Sequence, residues 1–255
     1  MVKGIAVNLK SYEETVQRLL KVIKLDVELK KHDKILIKPN LISGNSEIST
    51  KTEFAEQVLK FCMENKAPGT EVFIAEGCDG KETIDVFDEL GYSKLAEKYG
   101  IGLIDLNYTE TEEISRNDFL KFEKIIYPKI LLDSFVISTP QLNESEEIGI
   151  TASLDNMLGA YPAKNYQGFF SRTKNKLSKF HPKYQIHDIL KCKVPELAVI
   201  DASIKGVILA GQPLEMDKQS ARALKIDWKS IPHLKLIDES FSDDNQSKGR
   251  KEIKE

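Results

Sequence analysis

Polar residues cluster directly after apolar runs of strand length in this chain. Lys38, Pro39 and Asn40 follow "KILI", Glu76 to Gly80 ("EGCDG") follow "TEVFIA", Pro140, Gln141 and Asn143 follow "SFVIST", and Asp201 closes "ELAVI". Ligands of open parallel sheets bind beyond the carboxyl ends of the strands, so these clusters read as one rim. Lys38 offers an ammonium to an anionic or carbonyl-bearing ligand, and Asn40 offers both a donor and an acceptor. Pro39 fixes its own φ and keeps Lys38 extended, which ends the strand without a curl into helix. The competing reading pairs Lys38 with a neighbouring carboxylate and leaves Asn40 to satisfy loop backbone.

"EGCDG" also has two readings. Gly77 and Gly80 permit close backbone approach, and the loop amides could hold a phosphate. Glu76 and Asp79 would repel that phosphate, which favours a tight turn. No G-K-[ST] follows at the spacing of a Walker loop. Cys78, inside this loop, is the one thiol worth testing for reactivity; Cys62 follows a helical apolar register and reads as core.

The elements that must position these groups alternate along the chain. "GIAVNL" (4–9), "KILIK" (34–38), "TEVFIA" (70–75) and "IGLIDL" (101–106) are strand candidates separated by helical patterns. Ser11 with Glu14 and Thr50 with Glu53 have capping-box spacing before two of those helices. Near-continuous apolar strands in this order predict an α/β fold: a mostly parallel open sheet, helices on both faces, Rossmann-like and three-layered. Further strands are expected at 134–140, 196–202 and 206–211, with helices at 151–158 and 215–225. Residues 1–241 read as a single α/β domain, and from Ser242 the chain has little to bury and reads as a disordered tail.

Composition limits the function classes. The chain has 255 residues, 41% hydrophobic and 30% charged, with a formal net charge of −3, which argues against a whole-protein polyanion binder. No run approaches the about 18 apolar residues of a membrane span, so no membrane partner is expected. The first residues lack the apolar core of a signal peptide, and a cytoplasmic location is expected. The three cysteines form no C-x-x-C pair, so no metal ligand set is read from the sequence and no cofactor is named by it.

Together "ILIKPNLIS" (35–43), "STKTEFAEQVLKF" (49–61), "LLDSFVISTPQLN" (131–143), "TASLDNMLG" (151–159) and "VILAGQPLEMDKQSARAL" (207–224) resemble the family called domain of unknown function 362. The resemblance runs from about residue 30 to 240. It implies an α/β fold and a shared polar site, without an established reaction. Many members carry ferredoxin-like cluster domains, which implies a redox-associated partner protein. Thr50, Thr151, Asn156 and Asp217 fall in the matching segments and join the candidates, with Lys38 for electrostatic stabilisation and Asp217 as a base. Asp217 would also suit a helix N-terminus with no catalytic role. Departures are clear: Gln141, Asn143 and Asp155 stand where relatives carry lysines. Losing those cations weakens anion binding at this edge and admits a degenerate scaffold or partner subunit.

Residues 156–187 contain no Asp or Glu, and within 161–184 Lys164, Arg172, Lys174, Lys176, Lys179 and Lys183 interleave with six aromatic rings. Such a segment could close over a site as a lid, or bind nucleic acid or an acidic partner. The plain alternative is a surface excursion with its rings pinned to the core. A small-molecule ligand at the strand ends is the favoured function; the alternatives are a degenerate scaffold or partner subunit of a redox-associated system, or a nucleic-acid or acidic-partner binder through 161–184.

Overall fold

The computed structural model describes residues 4–42 and 45–251, the side chains of 242–251 excepted. In chain order the strands are β1 (Gly4–Asn8), β2 (Lys34–Pro39), β3 (Glu71–Glu76), β4 (Gly102–Asp105), β5 (Thr111–Ile114), β6 (Ile125–Pro128), β7 (Phe135–Thr139), β8 (Asn143–Ser145), β9 (Gly149–Thr151), β10 (Leu197–Ala202) and β11 (Val207–Gly211). The helices are α1 (Tyr12–Val22), α2 (Leu25–Glu28), α3 (Thr52–Asn65), α4 (Thr83–Glu89), α5 (Tyr92–Tyr99), α6 (Lys129–Leu132), α7 (Ala163–Tyr166), α8 (Pro182–Cys192), α9 (Pro213–Ala223) and α10 (Pro232–Lys251).

Seven strands form one open sheet in the order β1-β11-β10-β7-β2-β3-β4. β10, β7, β2, β3 and β4 pair in parallel, while β11 runs antiparallel between β10 and β1. The fold is therefore the expected mostly parallel, Rossmann-like open sheet. Alternation along β2 shows why both faces need cover. Leu36 joins a core with α8, α9 and α10 on one face, whereas Ile35 and Ile37 join a core with α1, α3 and α5 on the other.

The chain winds from β2 outward through β3 to β4, then returns to place β7 on the other side of β2. That reversal between β2 and β7 is a topological switch point, where the connections leave on opposite faces and open a crevice.

β1 lies at the edge of the sheet, paired with β11. Several local expectations are corrected. The Ser11 cap forms, with its side chain accepting from Glu14 N–H, but the helical apolar spacing that the sequence carries from Tyr12 to Val27 is cut short: α1 ends at Val22, Lys24 has φ 61° and Val27 is exposed. The Thr50 capping box does not form, because its hydroxyl ties two strand ends instead. The helix expected at 151–158 is β9 followed by a 3₁₀ stretch, Asp155–Ala160. There buried carboxylates hold the backbone NH groups of 152–154 in a turn. The 161–184 excursion contains α7 and a 3₁₀ turn, Asn175–Leu177, and ends as α8 begins. α10 runs on through Lys251. The tail expected from Ser242 falls on side chains outside the description, and 252–255 lie outside the described residues.

Candidate functional site

Lys38, next to last in β2, pairs with Ser138 of β7 and lies on the strand adjacent to β3, which ends at Glu76. Its side chain and that of Glu76 are only 1% and 2% exposed, with 2.7 Å from Nζ to Oε1. Nζ also donates to Asn156 Oδ1 at 2.9 Å and, at 3.4 Å, to the Pro39 carbonyl. All three ammonium protons thus have acceptors inside the protein. Of the two readings of Lys38, pairing with a carboxylate is the one found. Asn156 completes the cluster, its Nδ2 donating to the Lys38 carbonyl and to Ser138 Oγ, both at 2.9 Å.

Two glycines let this cluster close. A Cβ at Gly159 would run into Glu76 Oε1 and Lys38 Nζ, and one at Gly77 would strike the Gly159 carbonyl. Glu76 Oε1 also accepts from Gly77 N–H at 2.7 Å. Oε2 of the same carboxylate, buried, has no hydrogen-bond partner among the described residues. A buried polar atom left without a hydrogen-bond partner is costly.

Above the cluster lies a cavity of about 670 Å³ at the switch point. Asn40, Glu76, Gly77, Asp79, Thr151 and Asn156 of the candidates line it, joined by Asp155 and Lys174. Lys38 sits beneath rather than on its wall. Asp155 accepts from Ala152 N–H, and burial, with Asp217 nearby, pushes its carboxyl well above the usual range.

The other candidates hold structure. Thr50 Oγ1 accepts from Asn40 N–H at 2.9 Å and donates to the Thr139 carbonyl at 2.7 Å, tying the ends of β2 and β7. Gln141 and Asn143 donate to the carbonyls of Glu47 and Ile48. Asp217 accepts from Ser153 N–H, Ser153 Oγ and Leu154 N–H, which holds the turn before Asn156. Burial, only partly offset by these bonds, raises Asp217 to about 6. Asp201 accepts from Tyr12 on the other face of the sheet. In 76–80 the Gly77 and Cys78 amides donate to Glu76 and Thr83, so the tight turn is found, and Gly80 turns it with φ 80°. Burial and the charge of Glu76 hold the Cys78 thiol well above its ordinary value, making it a poor nucleophile.

Two site residues were not singled out by sequence. Lys174 reaches in from the excursion, donating to the Gly77 carbonyl at 2.7 Å and the Gly159 carbonyl at 3.4 Å, while its own N–H meets Asp79 Oδ1. Burial lowers it to about 8 despite Glu76 and Asp79. Asn107 follows β4 and bonds the Cys78 carbonyl, Thr83 and Ala163 N–H, joining the 76–80 turn to the start of α7. His187 pairs with Asp188 and Ser240, and His181 caps Lys183 N–H; neither lines the cavity. Among the described residues no three of His, Cys, Asp or Glu gather as a metal ligand set.

These features define a class, a doubly wound α/β protein with a polar cavity at its switch point, walled by a basic excursion. The chain belongs to the family described as domain of unknown function (DUF362), whose model matches residues 35–214. That range holds Lys38, Glu76 and the whole cavity lining and stops short of Asp217. No curated protein matches the chain.

Proposed function

We propose that this protein binds a small polar molecule in the cavity beyond β2 and β3. Glu76 carries this reading: the residue lines the cavity, and its Oε2 is a buried acceptor with no hydrogen-bond partner among the described residues. A ligand amino or hydroxyl group would satisfy it, while Asn40 and the remaining N–H of Lys174 suit a carbonyl or anionic end. Lys38 acts through Glu76, holding the carboxylate in place at 2.7 Å rather than gripping the ligand itself. The test is native mass spectrometry of protein purified without unfolding. A copurifying mass that disappears in Thr151→Trp, which fills the cavity, is the expected result. Protein that carries nothing, and whose melting temperature is unmoved by a panel of amine- and hydroxyl-bearing metabolites, overturns the reading.

A second reading, a degenerate scaffold for a partner protein, draws on Gln141 and Asn143, which pin the 47–48 turn where relatives carry lysines. Ligand binding that appears only after Gln141→Lys with Asn143→Lys would favour it.

A further inference from the structure

We propose that the tip of the 161–184 excursion docks on an anionic membrane surface, with Phe169 and Phe170 entering the lipid and nearby lysines meeting headgroup phosphates. The two rings are 95% and 98% exposed and touch each other edge to face, with centroids 4.9 Å apart. Burying a phenylalanine is favourable, so two adjacent bare rings call for a cover.

The exposure belongs to the tip alone. Tyr161, Tyr166 and Phe180 of the same excursion pack around Phe122. Tyr161 donates to the Gln185 carbonyl, Tyr166 accepts from Ile126 N–H, and Lys174 is pinned in the cavity wall. A fixed base therefore presents the pair.

Charge identifies the cover. The excursion walls a hollow of about 440 Å³ lined by Lys121, Lys124, Lys176 and Lys179, with Glu123 its one acid. Lys124 is paired with Glu113, which leaves the hollow still cationic. On the other flank Glu82 and Asp85 sit with Lys81 and Arg172. Gly168 N–H, just before the two rings, bonds Asn175 Oδ1, and the adjacent Lys176 donates to the Asn165 carbonyl, so the tip is tied to the lysine side, the side set to meet the bilayer. Each basic residue near an anionic leaflet adds to the attraction, and a short apolar wedge alone holds only marginally, so both parts are needed. A single-stranded nucleic acid is less suited, since its bases stack on rings lining a groove, and these rings stand crosswise at a loop tip. Among the described residues no helix is long and apolar enough to cross a membrane, and surface docking requires none. The proposal revises the sequence expectation of no membrane partner, which rested on spans alone.

Cosedimentation of the full chain with vesicles of phosphatidylcholine, with and without phosphatidylserine, tests this. Binding only to phosphatidylserine vesicles, weakened by salt, is expected. F169A/F170A and K176E/K179E should each lower it at least about tenfold, or 1.4 kcal/mol, with little change in melting temperature, because all four side chains are exposed and the lysines lose only surface contacts to the Asn165 carbonyl and the Phe180 ring. In Phe170→Trp the emission should shift to the blue on those vesicles. No binding to anionic vesicles, or binding indifferent to F169A/F170A, overturns the proposal. So does oligothymidylate binding that the double variant abolishes while vesicles stay unbound. Neither phenylalanine lines the cavity, so failure here leaves the small-molecule reading untouched.

Discussion

Lys38 and Glu76 illustrate the asymmetry of a buried ion pair. Desolvation offsets much of their attraction, yet removing one partner leaves the other charge bare. Lys38→Met is therefore expected to cost about 3–5 kcal/mol in urea denaturation, and adding Glu76→Leu to recover a large part of it. Additive losses would show that the two side chains are not coupled. His233 gives a pH prediction. Burial lowers it from 6.5 to about 4, the Ile148 backbone opposing. The unfolded chain takes up that proton first, so this stability is complete above pH 6.5 and is lost as pH falls toward 4. Asp217, raised from 3.8 to about 6, works oppositely: its contribution is complete below 3.8 and is lost as pH rises through 6. The readout is therefore the difference between His233→Leu and its parent. It should move toward the variant by up to about 3 kcal/mol between pH 7 and pH 4. A constant difference would mean that the imidazole titrates normally.

At the scale of elements, the site depends on how closely the 155–160 stretch lies over the end of β3. Gly159→Ala must push its methyl into Glu76 and Lys38, and a loss of about 1–3 kcal/mol is expected by thermal or chemical unfolding. An unperturbed variant would mean that the stretch can lift away freely. The strand-end rule that found Lys38 and Glu76 also applies to Asn107, which stands just past "IDL" and is readable in the same way. Lys174 is harder to find. Its sequence trace is Leu177 three residues on, which also turns inward, but six cations share that excursion and spacing does not choose among them. Thr50 shows the reverse error. A correct capping pattern lost to a stronger use of the hydroxyl, a tie between two strands brought together only by the sheet.

For the whole molecule, the cavity is assembled from segments around residues 40, 77, 151 and 175, which only the strand order makes neighbours. If the excursion acts as its lid, hydrogen exchange across 171–179 should slow when the copurifying ligand is bound and recover when it is removed. Equal exchange in both states would make the segment a fixed wall. Period and apolar content alone determined the parallel sheet, its covered faces and the polar character of the strand ends, because burial on both faces demands continuous apolar strands whatever their neighbours. Which polar residues face one another was decided only by tertiary structure. Strand order, the glycine contacts at 77 and 159 and the return of the excursion are long-range pairings, and no local pattern encodes a distance between residues 38, 76, 156 and 174.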